Sequence, residues 1–269
     1  MRSGEYLMEN DDETLRLELK TDGDVLRRQA VWAGIAPGMR VADIGCGSGM
    51  TSSLLHDLVQ PNGSVVGIDL SEKRIAHARG HYAGENIEFQ RRDMLLPLDD
   101  LGLFDFVWVR FVLEYFLTDS FAVVENVSRI VRPGGIFCLI DLDHNCLSHF
   151  GIPARMEKTL FAIVDELREK ADFDPYVGRK LFSYLHDLAY EEIDVEVSAH
   201  HLIFGELRKS DSFNWMKKIE TAPRKTGYTF PEYEGGYEEF LEEFHRFFSN
   251  PRRFTYSPII CARGRKPMP

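Results

Sequence analysis

The 269-residue chain carries 43 Asp+Glu against 32 Lys+Arg, a formal net charge of −11, and is 44% hydrophobic and 28% charged. That balance excludes fibrous and disordered classes, and an acidic surface repels phosphate backbones, which argues against DNA as a partner. No apolar run reaches the roughly 18–20 residues that span a bilayer, the acidic N-terminus has no apolar signal-peptide core, and Cys46, Cys138, Cys146 and Cys261 show no CxxC spacing, so free thiols in a reducing cytoplasm are expected.

Along the chain, apolar runs at 39–44, 64–68, 86–90, 104–109 and 136–140 predict strands. Pro37-Gly38, Pro61-Asn62-Gly63 and Pro133-Gly134-Gly135 open three of them, because Pro and Gly stop a helix and permit the turn back. The runs at 39–44, 104–109 and 136–140 are almost continuously apolar, as in parallel strands covered on both faces. Between the strands, Leu54, Leu55 and Leu58 form one helical stripe, and Ile75 and Ala78 a weaker one behind a Ser71 N-cap. Phe121, Val124, Val127 and Val131 form a third. After Asp143 the rhythm changes. Met156, Leu160, Ile163, Val164 and Leu167 mark a long helix, and Leu181, Leu185 and Leu188 another. Two late strands follow, at 192–204 and 254–262, separated by a mostly helical stretch long enough to be functional. In that stretch the stripe from Phe240 to Phe248 fits core packing or a homodimer seam, and its helical spacing favours core. The repeated strand-helix order predicts an α/β fold, a doubly wound and mostly parallel sheet.

Residues 41–49 read Val-Ala-Asp-Ile-Gly-Cys-Gly-Ser-Gly, directly after a strand and before a helix. Glycines at 45, 47 and 49 let the backbone bend sharply and let a ligand press against it. Met50 stands where the dinucleotide fingerprint has its third glycine, and Asp43 is foreign to that fingerprint. Asp69 ends the next strand, where a carboxylate can accept from both ribose hydroxyls; a strand-end cap is the alternative. Asp93 follows the third strand and can accept from an exocyclic adenine amine, with Met94 against the ring. Its alternative is a solvated partner for Arg91 or Arg92.

The segments VADIGCGSG, GIDLSEKRIAHAR, FQRRDM and RPGGIFCLID resemble the successive motifs of class I S-adenosylmethionine-dependent methyltransferases, over roughly residues 25–143. The resemblance implies a seven-stranded sheet of order 3-2-1-4-5-7-6 with the last strand antiparallel. It implies a methyltransferase domain over 25–204 and 254–269, a helical insertion or lid over 205–253 between the last two strands, and an N-terminal segment, 1–24, folded over the cofactor. The implied cofactor is S-adenosylmethionine. Asp43, Gly45, Cys46 and Gly47 would hold its methionine end, Asp69 the ribose, Leu70 the adenine face, and Asp93 with Met94 the adenine edge. Arg74 and Arg110 would complete the set, and Tyr6 and Arg16 would cover the methionine moiety.

Methyl transfer is an in-line displacement in which positioning and desolvation do most of the work. The acceptor is expected after the fourth strand, in Trp108 to Phe116, beyond the strand carboxyl ends. Neither an Asn/Asp-Pro-Pro-Tyr motif nor a Pro-Cys nucleophile occurs there, against methylation of exocyclic DNA amines or pyrimidine C5. Candidate catalytic groups are Arg110, Tyr115 (where many relatives carry His) and His144, with His149 a further base candidate; an Arg110–Glu114 ion pair is the plain alternative for the arginine. Asp141, Asp143 and Asn145 could hold Mg²⁺, but Arg110 stands near the place of a needed acidic ligand, so no metal is expected. Phe150, Tyr176, Phe213, Trp215, Tyr228, Phe230, Tyr233 and Tyr237 could wall an apolar pocket. The expected function is methyl transfer to a small, partly apolar metabolite. The alternatives are a non-catalytic S-adenosylmethionine-binding regulatory protein, and a tRNA or protein methyltransferase.

Overall fold

Four of the first five strands alternate their side chains between two apolar clusters, and that alternation dictates the layers. Val41, Val65, Phe106, Trp108, Ile136 and Cys138 enter one cluster. Ala42, Val66, Val107, Val109, Phe137 and Leu139 enter the other. A sheet buried on both sides needs helices on both sides. The computed structural model of the chain describes residues 22–269. Its strands are β1 (Arg40–Ile44), β2 (Ser64–Asp69), β3 (Ile87–Arg91), β4 (Phe104–Arg110), β5 (Val131–Leu142), β6 (Ser148–Phe150), β7 (Glu191–Phe204) and β8 (Phe254–Arg265). One face of the sheet is covered by α1 (Gly23–Ala33), α2 (Met50–Val59) and α3 (Glu72–Tyr82), through Leu26, Ala30, Leu55, Val59, Ile75 and Ala78. The other is covered by α4 (Ser120–Ser128) and α6 (Leu181–Asp187), through Val123, Val124, Val127, Leu181 and Leu185.

The sheet runs β3-β2-β1-β4-β5-β8, parallel from β3 to β5 and antiparallel at β8. The two late strands take the places expected of the sixth and seventh, with β7 antiparallel along β8. The eighth strand is the departure from a seven-stranded sheet. β6 pairs with Tyr256, Thr255 and Phe254, the end of β8 that β5 does not reach, so β5 and β6 lie end to end on one edge of β8 and β7 on the other. β6 is three residues long and carries no period a sequence could show.

Two other expectations are corrected. Pro133-Gly134-Gly135 lies inside β5 instead of opening it: the β4 pairing shifts register between Phe104 and Phe106, and such an irregularity tolerates Pro and a positive-φ Gly134 (φ 70°). The buried stripe of α4 is Val123, Val124 and Val127, while Phe121 is 38% exposed and Val131 already belongs to β5.

A third cluster lies beyond the carboxyl edge of the sheet. It joins α5 (Ala154–Ala171), α7 (Lys209–Thr226) and α8 (Gly236–Phe248), the last two forming the connection from β7 to β8. Phe240, Phe244 and Phe248 are fully buried against one another and Trp215, so the α8 stripe is core and no seam. Among the described residues, no helix is long and apolar enough to cross a membrane.

Candidate active site at the carboxyl edge of the sheet

At the end of β1 the chain turns at Gly45 (φ 74°), whose N–H, with that of Cys46, donates to the Ile68 carbonyl of β2 at 2.8 and 2.9 Å. A Cβ at Gly45 would run into Val112, and one at Gly49 (φ 92°) would come within 2.7 Å of Ala78. The bend therefore sits bare between the β4 turn and α3, and any other residue at either position would be strained as well as crowded. Gly49 starts α2 with no side-chain cap, so the N–H groups of its first turn are left to other partners.

Asp43 is buried beneath this bend and accepts a 2.6 Å hydrogen bond from Ser52 Oγ. Burial pushes its carboxyl up to about 7; Asp69 adds to the rise, while the Ser52 bond and the Arg110 charge oppose it. Asp69, at the end of β2, turns toward the same bend. Its Oδ2 accepts from Gly47 N–H at 3.0 Å, and its Oδ1 from Ser71 N–H at 2.9 Å. Arg74 closes on Oδ1 through Nε at 3.2 Å and Nη2 at 3.0 Å, both side chains being more than nine-tenths buried. A carboxylate offers about four lone-pair directions, so Asp69 is an anchored acceptor with little freedom left. The expected Ser71 N-cap is present, accepting from Arg74 N–H.

Asp93 is half-buried and caps its own turn by accepting from Leu95 N–H at 2.9 Å. It pairs with neither neighbouring arginine: Arg91 donates to the Leu70 carbonyl and lies by Glu72, and Arg92 binds Asp100. Met94 is buried in the apolar cluster on the sheet face that α4 and α6 cover, and Leu70 is half-buried. Burial holds the Cys46 thiol far above its ordinary range. Tyr6 and Arg16 lie outside the described residues.

Arg110 ends β4, its guanidinium 4.0 Å over the Phe111 ring, with Nε buried and unbonded. Burial lowers it to about 10, against the stabilising charges of Asp43 and Asp141 among others. It forms no ion pair with Glu114, whose carboxylate turns the other way. Glu114 is 2% exposed and its Oε2 accepts from Asn145 Nδ2 at 2.6 Å. The turn carrying Glu114 is pinned from β5, where Asp141 Oδ2 accepts from Leu113 and Glu114 N–H at 2.9 and 3.2 Å. Burial drives the Asp141 carboxyl well up, and the Glu114 charge drives it further.

Glu114 opens onto a cavity of about 80 Å³ between this turn, α5 and α7, walled by Leu160, Ile163, Val164, Trp215 and Ile219. Tyr115 reaches it, and Tyr115 also lies on Phe173 at 6.0 Å. Of the aromatics expected to wall an acceptor pocket, Trp215 alone does so among the described residues; Phe150 is 70% exposed, and Phe230 and Tyr233 pack into the α8 core. His144 is outside the lining and lies edge-on to Tyr176 at 5.2 Å. His149 is structural: its ring nitrogens meet Thr255 Oγ1 at 2.9 Å and the Cys146 carbonyl at 3.0 Å, and burial lowers it to about 4. The acids after β5 have protein partners too, since Asp143 is held in a two-bond fork by Arg179 at 2.8 and 2.9 Å.

Sequence reasoning missed the polar wall of this cavity. Glu114 meets Asn145 across 31 positions, and Cys146 meets Lys218 across 72. No local spacing announces such pairs.

The strand order and the site at the strand carboxyl ends define the class I methyltransferase fold. Residues 42–139 match the family model described as a methyltransferase domain. A demethylmenaquinone methyltransferase of Lactococcus lactis is 33% identical over 118 residues, 42% of this chain and 46% of that protein. The matched region thus spans about half the length of the curated relatives. Among solved structures, a candidate methyltransferase of Bacillus halodurans superposes with a TM-score of 0.58 at 16% identity, over 91% of this chain and all of that one. The [4+2]-cyclase SpnF superposes with 0.53 at 14% identity, over 92% and 82%. At such identities these likenesses speak to the fold.

Proposed function

We propose that the protein binds S-adenosylmethionine over the Gly45–Gly49 bend and moves its methyl group to a small, partly apolar metabolite seated in the cavity beside Glu114. The observation that carries this reading is Asp43. A carboxyl buried without a fixed cation is costly, and a cationic ligand above it would restore the carboxylate that burial disfavours. The bare bend fits a ligand pressed close to the backbone, and Asp69 beside it, whose Oδ2 takes the Gly47 bond while Ser71 and Arg74 crowd Oδ1, keeps one Oδ2 direction for a ribose hydroxyl. Asp93 and Leu70 would meet the adenine. When bound, the sulfonium supplies a methyl group already activated for displacement. The chain's own part is to orient, to exclude water and to take a proton where the acceptor carries one.

The likeness to demethylmenaquinone methyltransferases covers less than half of the chain and so does not choose the acceptor. The cavity wall supports a class of acceptor: apolar side chains with a few polar groups suit a small hydrophobic metabolite. Calorimetric titration with S-adenosylmethionine, followed by detection of S-adenosylhomocysteine release across a metabolite panel, tests the reading. No binding by the whole chain refutes it. Binding without turnover across the panel favours a non-catalytic S-adenosylmethionine-binding protein instead.

A further inference from the structure

The cavity has a feature beyond its apolar wall: four polar side chains joined in one direction. Lys218 Nζ donates to Cys146 Sγ at 3.2 Å, Cys146 Sγ donates to Asn145 Oδ1 at 3.2 Å, and Asn145 Nδ2 donates to Glu114 Oε2 at 2.6 Å. All four residues line the cavity. The chain of donors begins at an ammonium and ends on the Glu114 carboxylate, and it holds one of that carboxylate's two oxygens in place. Oε1 of Glu114 accepts no hydrogen bond among the described residues. A second signal stands in the wall: Trp215 is 1% exposed and its Nε1–H is buried without a partner. Buried donors are seldom left unmatched without a reason. The charged groups around Glu114 are Asp141 from β5, Lys218 from α7, and Asp174 with its Lys180 partner, the Asp174 N–H bonding the Glu114 carbonyl at 2.7 Å.

We propose that Glu114 is the proton acceptor for a hydroxyl-bearing, otherwise apolar acceptor such as a phenol, and that Trp215 Nε1–H donates to an oxygen of the same molecule. This rests on the functional reading above and deepens it by naming the acceptor group and the attacking atom, oxygen. The acceptor O–H gives its proton to Glu114 Oε1. The oxygen keeps the electron pair and forms the bond to the methyl carbon as the methyl–sulfur bond breaks, its pair leaving on a neutral thioether. The products are a methyl ether, S-adenosylhomocysteine and protonated Glu114, which returns its proton to water after release. Asn145 is a positioning residue, fixing which oxygen of Glu114 faces the acceptor.

Cys146 makes the test possible without cofactor or turnover. It is the half-buried thiol of the four, while Cys46, Cys138 and Cys261 are buried. Labelling of Cys146 by a maleimide reports on cavity occupancy, and 4-nitrophenol is the probe. In cofactor-free protein, 4-nitrophenol slows labelling in a saturable way. Glu114→Gln weakens that protection by roughly ten- to hundredfold, the loss of a charge-assisted hydrogen bond. Asn145→Ala weakens it less, and Trp215→Phe lowers it by several-fold. Unchanged protection in Glu114→Gln, or no protection of the wild type, overturns the proposal. The unliganded labelling rate and the S-adenosylmethionine affinity of Glu114→Gln guard against misfolding, and both are expected to match wild type. With cofactor and a phenolic acceptor, Glu114→Gln lowers kcat by roughly 10²–10⁴-fold and removes the acidic limb of the pH profile; an unaltered profile overturns it. The two readings fail separately. Protection by 4-nitrophenol without any S-adenosylmethionine binding removes the cofactor reading, whereas cofactor binding with unaltered Glu114→Gln protection removes only this one.

Discussion

The two halves of this molecule meet at one edge and are built on different principles. The β1–β3 half, with α1, α2 and α3, forms its site from backbone: a glycine bend, and acids at strand ends or within two residues of them. The other site, between the turns after β4 and β5 and the helices α5 and α7, is formed from side chains that meet only through packing, as Glu114, Asn145, Cys146 and Lys218 do. Backbone sites are fixed by short-range geometry and tolerate few residue types. Packed sites depend on a cluster of Phe240, Phe244, Phe248 and Trp215 that can be rebuilt while the sheet stays as it is.

Four perturbations would break or sharpen that contrast. The largest effect is expected of Asp69→Ala. It strands Arg74 in a buried site, costing about 3–5 kcal/mol of stability, and it weakens S-adenosylmethionine binding by about 30–150-fold, a loss of roughly 2–3 kcal/mol. Urea unfolding and calorimetry read the two effects separately. An unchanged affinity would remove the ribose assignment. Phe244→Ala empties the centre of the helical cluster and is expected to cost about 3–5 kcal/mol. If the halves are separable, its cofactor affinity stays within about threefold of wild type; a parallel loss of affinity would show one cooperative unit.

A smaller effect is set by pH. Asp43 is held near 7, above its unfolded value of 3.8, so the empty protein binds this proton more tightly than the unfolded chain does. This group's contribution to stability is therefore present below about pH 4 and is lost as pH rises to about 7. Cation binding needs the carboxylate, so cofactor affinity is expected to rise by up to about tenfold per pH unit below 7 and then level off. Titrations in buffers of different ionisation heat should detect a proton released near pH 6, and Asp43→Asn should flatten the curve. The smallest effect is that of Ser71→Ala, which removes the N-cap of α3 at a cost of about 1 kcal/mol. Thermal unfolding measures it, and a larger loss would mean that Ser71 also steers Arg74 onto Asp69.

What the sequence could reveal followed the same divide. β1, β2, β3 and β4 were legible because each is a short apolar run whose ends fall at turn residues. The first part of β5 was hidden because Pro133-Gly134-Gly135 has the chemistry of a turn yet lies at an irregularity inside the strand. Asp43 could be singled out by its place before the glycines, and Asp69 and Asp93 by their places at and just after strand ends. The direction taken by Glu114 could not, since Arg110 at i−4 was the partner local rules suggested and Asn145 won through the β5 turn. The ring contact between His200 and His201, centroids 3.9 Å apart, was hidden in the same way. Strand alternation would send neighbours to opposite faces, but β7 shifts register between His200 and Ile203.

The chain from β7 to β8 leaves the sheet at Phe204 and returns at Phe254, on strands paired side by side at those same two residues. Departure and re-entry are adjacent, so that excursion can be exchanged for another of different length without altering a single ladder bond elsewhere. A chimaera carrying a foreign excursion, matched to α5, is expected to exchange the cavity wall that Trp215, Lys218 and Ile219 supply while leaving Glu114 and Asn145 where the host's strands hold them.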